Sequence, residues 1–116
     1  MRTMRCIVML LLGAAAASIA GNSRAASFDC AKAATPTEHA ICEHPQLSQL
    51  DDQAAGLYYS LISGGTAVKN GSVAEVRSSQ QQFLARRDAC GADYQCLIGA
   101  YTDQIMFLKA AAGEGM

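Results

Sequence analysis

The chain has 116 residues, of which 51% are hydrophobic and 16% charged, and its formal net charge is −1. A chain of this length builds one domain, which excludes a doubly wound nucleotide-binding fold, a large barrel and any multi-domain enzyme. At its start, Arg2 and Arg5 precede an uncharged apolar run over residues 6–20. A basic start before a short apolar run indicates a secretory signal peptide, because a membrane span needs about 20 residues.

The predicted cleavage follows Ala25, because Ser23-Arg24-Ala25 places small residues at the two positions that signal peptidase reads. Ser18-Ile19-Ala20 is the second choice. We therefore expect a signal peptide over residues 1–25 and a periplasmic or secreted mature domain over residues 26–116. No second apolar run follows, so we expect no membrane association after cleavage.

The charge balance changes when the predicted signal peptide is removed. Arg2, Arg5 and Arg24 leave with it, so six basic residues remain against ten acidic ones and the mature net charge is −4. A protein that binds nucleic acid usually carries the opposite bias. The acidic balance therefore argues against a nucleic-acid partner.

Four cysteines remain in the mature domain: Cys30, Cys42, Cys90 and Cys96. An even number in a short exported chain indicates two disulfides. The domain needs them, because without Trp and with only three Phe its core buries little area. Three pairings are open. We favour Cys30–Cys42 with Cys90–Cys96 over the crossed Cys42–Cys90 with Cys30–Cys96, because short closures form readily.

Enzymatic chemistry and metal binding find little support in the sequence. The residues nearest to a zinc pattern are Cys30, His39, Cys42 and His44. Their spacing matches no common zinc site, and an oxidising compartment favours a disulfide. Glu38 and Glu43 beside the histidines suit helix capping and solvated surface, and no nucleophile is paired with them. We expect neither an enzyme nor a bound cofactor or metal.

Capping signals and apolar spacing predict four helices. Thr35, with Pro36 at the first helical position and Glu38 completing a capping box, starts a short helix that stops near residue 43. A second helix opens at Pro45 and ends at residues 63–65. A third is capped by Ser72 and runs to the Cys90-Gly91 stop, and a fourth follows residue 93.

These elements predict an all-α fold, a small antiparallel bundle of one short and three longer helices stapled by two disulfides. Residues 27–30 read as an extended arm before the first helix. Residues 64–72, with three glycines, read as a flexible exposed loop, and the tail from Ala110 is expected to fray.

Polar residues and tyrosines on these helices give further expectations. Asp51 and Arg87 lie equally far from the centre of the connecting loop near residue 69, so they are predicted to form an interhelical ion pair that acts as a structural clamp. Tyr58 and Tyr101 fall on apolar stripes and are expected in the core. Tyr59 is the tyrosine expected at the surface, where it could contact a partner.

The mature sequence resembles the LprI-like lysozyme-inhibitor domain, long catalogued as a domain of unknown function. The resemblance covers residues 28–108, with the four cysteines in register. It rests on Phe28-Asp29-Cys30, Glu38-His39-Ala40-Ile41-Cys42, Pro45, Leu47, Leu50-Asp51, Tyr58, Gln80, Phe83-Leu84, Arg87-Asp88-Ala89-Cys90-Gly91, Cys96-Leu97, Tyr101 and Ile105. Two positions depart from it: Phe83 stands where the family usually has Trp, and Gln104 where it usually has Arg.

The resemblance implies an exported protein that binds lysozyme, with c-type enzymes favoured, and blocks it by occluding the active-site cleft. Lys69 and Asn70 in the glycine-rich loop are the residues expected to reach the two carboxylates of that cleft. The alternative is a periplasmic envelope stress or assembly factor that binds another protein or a glycan and has no effect on lysozyme.

Overall fold

The computed structural model describes residues 24–25 and 27–114, and these residues fold as the predicted all-α bundle. Its helices are α1 (Pro36–Glu43), α2 (Pro45–Ser63), α3 (Val73–Ala89) and α4 (Tyr94–Ala111). Each of the three long helices runs antiparallel to the next, and α1 packs against α2. The prediction of one short and three longer helices with two disulfides is confirmed. Within the described ranges, no helix has the length and hydropathy of a membrane span.

The predicted signal peptide falls outside the described residues except at its last two positions. Those two form β1 (Arg24–Ala25), which pairs antiparallel with β2 (Phe28–Asp29). The predicted extended arm is therefore present in β2. It ends earlier than expected, because Cys30–Lys32 already forms a 3₁₀ turn that the Asp29 side chain caps by accepting the Ala31 N–H.

The helices begin where their capping residues predict. Thr35 accepts the Glu38 N–H at 3.0 Å, and the Glu38 carboxylate accepts the Thr35 N–H in return, which completes the capping box. Ser72 accepts the Glu75 N–H in the same way at the start of α3. Asp93 caps α4. These bonds satisfy N–H groups that the first turn of a helix leaves without partners.

Apolar residues from all four helices form the main core cluster. Its buried members are Ala40, Ile41, Leu47, Ala54, Phe83, Leu97, Ala100, Tyr101 and Ile105. The rings of Phe83 and Tyr101 meet edge to face with centroids 5.1 Å apart, an arrangement that aromatic quadrupoles favour. A second cluster joins the far ends of the long helices around Leu61, Val76 and Leu108.

Both disulfides have the local pairing, and the crossed pairing is wrong. Cys30–Cys42 ties the 3₁₀ turn to the last turn of α1, and Cys90–Cys96 closes the turn between α3 and α4. Both therefore brace the same end of the bundle. We call residues 29–46 together with 87–96 the disulfide-braced end. The buried Thr37 ties its parts together, because its hydroxyl donates to the Gly91 carbonyl at 2.7 Å.

The opposite end is more ordered than the sequence suggested. We call residues 64–77 together with 109–114 the loop end. The backbone N–H groups of Lys69 and Asn70 both donate to the Ala111 carbonyl, and the Asn70 side-chain amide donates to the Ala110 carbonyl at 2.8 Å. The predicted fraying from Ala110 is wrong, because Ala111 and Ala112 are buried. The loop supplies the donors that the last carbonyls of α4 lack.

Removing either disulfide is expected to destabilise the oxidised domain. The bridges close loops of 12 and 6 residues in sequence separation. Chain-entropy arguments then give a loss of about 3 kcal/mol for Cys30→Ser with Cys42→Ser and about 2 kcal/mol for Cys90→Ser with Cys96→Ser. Urea unfolding followed by circular dichroism measures both. A smaller loss for the longer loop would contradict this ordering.

Candidate functional site

A buried polar cluster joins α2, α3, α4 and the N-terminal arm around one carboxylate. Asp51 lies in the first half of α2 and is buried. Its Oδ1 accepts the Tyr101 hydroxyl at 2.7 Å, and its Oδ2 accepts both the backbone N–H and the hydroxyl of Ser27 at 3.1 and 2.6 Å. The Arg87 guanidinium lies 3.9 Å from Oδ1. One carboxylate thus connects four parts of the chain.

The predicted Asp51–Arg87 pairing is present, but it is not the closest contact of either residue. Arg87 makes two hydrogen bonds to the neighbouring Asp88 carboxylate, at 3.0 and 2.9 Å. Asp51 is held mainly by Tyr101 and Ser27. Arg87 therefore balances the charge of the buried Asp51 carboxylate, whereas the hydroxyls of Tyr101 and Ser27 fix the position of that carboxylate.

The cluster sets the protonation of its members. Burial raises the pKa of the Tyr101 phenol far above its ordinary value, and the Asp51 carboxylate that accepts its proton raises it further. For Arg87, burial acts to lower the pKa, but the Tyr101 and Asp88 oxygens outweigh it and leave the pKa raised. Tyr101 therefore stays neutral and Arg87 charged, which suits a permanent structural contact better than proton transfer.

The buried polar groups of this cluster bond to one another. Among the described residues, every buried side-chain nitrogen or oxygen has a hydrogen-bond partner. The same holds for Gln104, which is buried between α3 and α4, where its amide accepts from Ser79 and donates to Gln80. Gln104, one of the two positions that depart from the resembled pattern, therefore makes an interhelical contact in the interior. Phe83 likewise fills the core.

The residues weighed as a zinc site do not form one. Cys30 and Cys42 are bonded to each other, so neither sulfur can bind a metal. Across the described part of the chain, no group of three or more His, Cys, Asp or Glu side chains is placed to hold a metal ion. Glu38 instead accepts the N–H groups of Ala34 and Thr35; the Ala34 bond is the main cause of its lowered pKa.

The residues predicted to contact a partner are spread over the surface. Tyr59 is 58% exposed on α2, with its ring edge to face against Tyr58. Tyr58 is half-buried, so the prediction that it belongs to the core holds only in part. Lys69 and Asn70 are exposed, and their backbone N–H groups donate to the Ala111 carbonyl of α4, so this part of the loop is tied to the bundle; their contact with a partner stays a prediction.

Two surface cavities have features of binding sites. One lies between α3 and α4 near the loop end, has a volume of about 400 Å³ and is lined by Ser78, Gln82 and the exposed Phe107 among others. The other lies at the disulfide-braced end, also with a volume of about 400 Å³, and is formed by His44, Pro45, Gln46 and Tyr94. There the ring centroids of His44 and Tyr94 lie 4.9 Å apart.

Sequence reasoning missed Ser27 and Tyr101 as partners of Asp51. A signal was present for Tyr101, because a tyrosine on an apolar stripe needs a buried acceptor for its hydroxyl. Nothing marked Ser27, whose role depends on where the arm crosses α2. The pair of His44 and Tyr94 was missed for the same reason, since it forms only when the first turns of α2 and α4 meet.

Comparisons with protein-family models, with curated proteins and with solved structures find no match to this chain.

Replacing the shared acceptor is expected to destabilise the bundle strongly. Asp51→Ala removes the carboxylate that accepts from the Tyr101 and Ser27 hydroxyls and lies beside the Arg87 charge. The free energy of unfolding should fall by about 3–5 kcal/mol. The matched control is Asp52→Ala, which removes an exposed carboxylate from the next position of α2 and should change stability by less than about 0.5 kcal/mol. Urea unfolding of both variants at neutral pH tests this, and equal midpoints would refute the central role of Asp51.

Tyr101 should make the fold sensitive to alkali. Its pKa is raised in the folded protein, so above the ordinary value of about 10 the unfolded chain loses the proton first. The stability that the neutral phenol contributes is therefore complete below that pH and is lost as the pH rises above it. In urea titrations above about pH 10, Tyr101→Phe should lose stability less steeply than the parent. Tyr59→Phe, which removes an exposed phenol, is the control and should follow the parent.

Proposed function

We propose that this protein is an exported inhibitor of lysozyme that acts by binding and has no chemistry of its own. The proposal includes residues 1–25 as a signal peptide and a periplasmic or secreted mature domain. The observation that carries it is that the residues behind the resemblance, among them the four cysteines, Asp51, Arg87 and Tyr101, are those that hold the described domain together. The residues that carry the resemblance are thus the same residues that make the internal contacts of the domain.

Inhibition by occlusion needs only a stable surface that fits the mouth of the cleft. The cleft of a c-type lysozyme holds two carboxylates, one of which donates a proton to the glycosidic oxygen. A bound domain that keeps the glycan away stops the reaction without touching either group. Two disulfides reduce the flexibility of this domain, which lowers the entropy lost on binding.

Charge supports a lysozyme as partner. Lysozymes of host defence are usually basic, whereas the mature domain carries a net charge of −4 with ten acidic residues. Opposite charges speed association and make it weaken as salt screens them. Binding should therefore be tighter at low ionic strength than at high ionic strength.

A second function is favoured by the cavity between α3 and α4. Its lining includes the exposed Phe107 ring, the Ser78 hydroxyl and the Gln82 amide, and this combination of an apolar face with polar groups suits a glycan or a peptide. This is the envelope-factor alternative, in which the protein binds another periplasmic component and leaves lysozyme unaffected.

The test is the hydrolysis of bacterial cell walls by purified c-type and g-type lysozymes in the presence of the oxidised mature domain. We expect dose-dependent inhibition of the c-type enzyme that weakens by about tenfold between low and physiological salt. The reduced and alkylated domain is the control and should inhibit less. Unchanged hydrolysis by every lysozyme over the whole concentration range would reject the proposal and favour the envelope-factor alternative.

A further inference from the structure

The acidic charge of the mature domain is concentrated at the disulfide-braced end. This end holds five acidic residues, Asp29, Glu38, Glu43, Asp88 and Asp93, and two basic ones, Lys32 and Arg87. It therefore carries a charge of −3 out of the −4 of the mature domain. Arg87 is buried and hydrogen-bonds to the exposed Asp88 carboxylate, so this pair adds no net charge; the charge of −3 comes from the other four acidic residues and Lys32.

The loop end has the opposite character. Lys69, Arg77 and Lys109 outnumber Glu75 and Glu114 there, which gives a charge of +1. A basic partner is thus attracted to one end of the bundle and weakly repelled by the other.

An aromatic cavity lies within the acidic end. His44 is exposed and Tyr94 half-buried, and their rings form one wall of the cavity that Pro45 and Gln46 complete. The Tyr94 hydroxyl bonds to the Gln46 side chain, which holds the wall in place. Aromatic side chains, tyrosine among them, are frequent anchors of protein interfaces, and the rim around such anchors is polar.

The same end is braced by covalent bonds and by a hydrogen bond between its parts. Both disulfides lie within it, and the Thr37 hydroxyl joins α1 to the turn between α3 and α4. Rigid surfaces lose less conformational entropy on binding. Charge, an aromatic wall and covalent bracing therefore coincide at one end.

We infer that the disulfide-braced end is the surface that docks on lysozyme, with the wall of His44 and Tyr94 as its anchor. This inference rests on the proposed function and replaces Tyr59, Lys69 and Asn70 as the expected contacts. The partner it fits is a protein with a basic rim around a cleft. Glu43 and Asp93 flank the aromatic wall in sequence and are the acidic groups placed to meet that rim.

Two charge variants that are matched in composition test the location. Glu43→Lys with Asp93→Ser changes the disulfide-braced end by three charges, and serine keeps the capping bond at the start of α4. Glu114→Lys with Asp52→Ser makes the same substitutions at the loop end and in the middle of α2. Dissociation constants for a purified basic c-type lysozyme are measured at low and physiological salt. The first variant should bind about tenfold more weakly at low salt, and the second should lose less than about threefold.

A second pair of variants tests the anchor without changing formal charge at neutral pH. His44 makes no capping bond with its side chain, so His44→Ala should fold normally and bind about fivefold more weakly. Tyr59→Ala removes an exposed ring from the side of α2 and should bind like the parent. Circular dichroism and thiol titration confirm that all four variants are folded and oxidised.

The outcomes separate the inference from the function on which it rests. If the parent domain neither binds nor inhibits any lysozyme, the proposed function fails and this surface loses its partner. If the parent inhibits while both charge variants weaken equally, or while His44→Ala binds as the parent does, lysozyme inhibition stands and the disulfide-braced end is not the docking surface. Only selective weakening by the changes at that end supports the inference.

Discussion

The structure depends on one buried carboxylate that three other parts of the chain approach. Asp51 accepts a hydrogen bond from Tyr101 of α4, accepts two from Ser27 of the arm and lies beside Arg87 of α3. A charge in the interior is costly unless it is paired and hydrogen-bonded. The helices must therefore keep the register that brings these groups together. Apolar packing around Phe83 and Leu97 adds stability but constrains that register less strictly.

That register divides the molecule into two unlike ends. On one side of the Asp51 cluster, covalent bridges hold short segments together and acidic residues cover the surface. On the other side, nine of the twenty residues of the loop end are alanine or glycine, and hydrogen bonds from Lys69 and Asn70 to the last turn of α4 hold the loop in place. The division shows how a domain with few aromatic residues keeps its two ends in place by different means, covalent bonds at one end and hydrogen bonds at the other.

The fold was largely predictable because its signals are local. The capping residues Thr35 and Ser72 and the prolines at positions 36 and 45 set the helix starts within the chain itself. The disulfide pairing followed from short sequence separations. The Asp51–Arg87 contact came from hairpin symmetry. The Ser27 contact and the wall of His44 and Tyr94 could not be predicted, because they depend on how α4 and the arm lie against α2.

The spacing of the bridges also bears on how the protein could mature. Each joins neighbouring cysteines in chain order, 12 and 6 residues apart. Any chain that emerges N-terminus first exposes one complete pair before the other appears. An oxidant that joins thiols in their order of emergence therefore makes the native bonds directly, and no disulfide isomerase is needed to correct them.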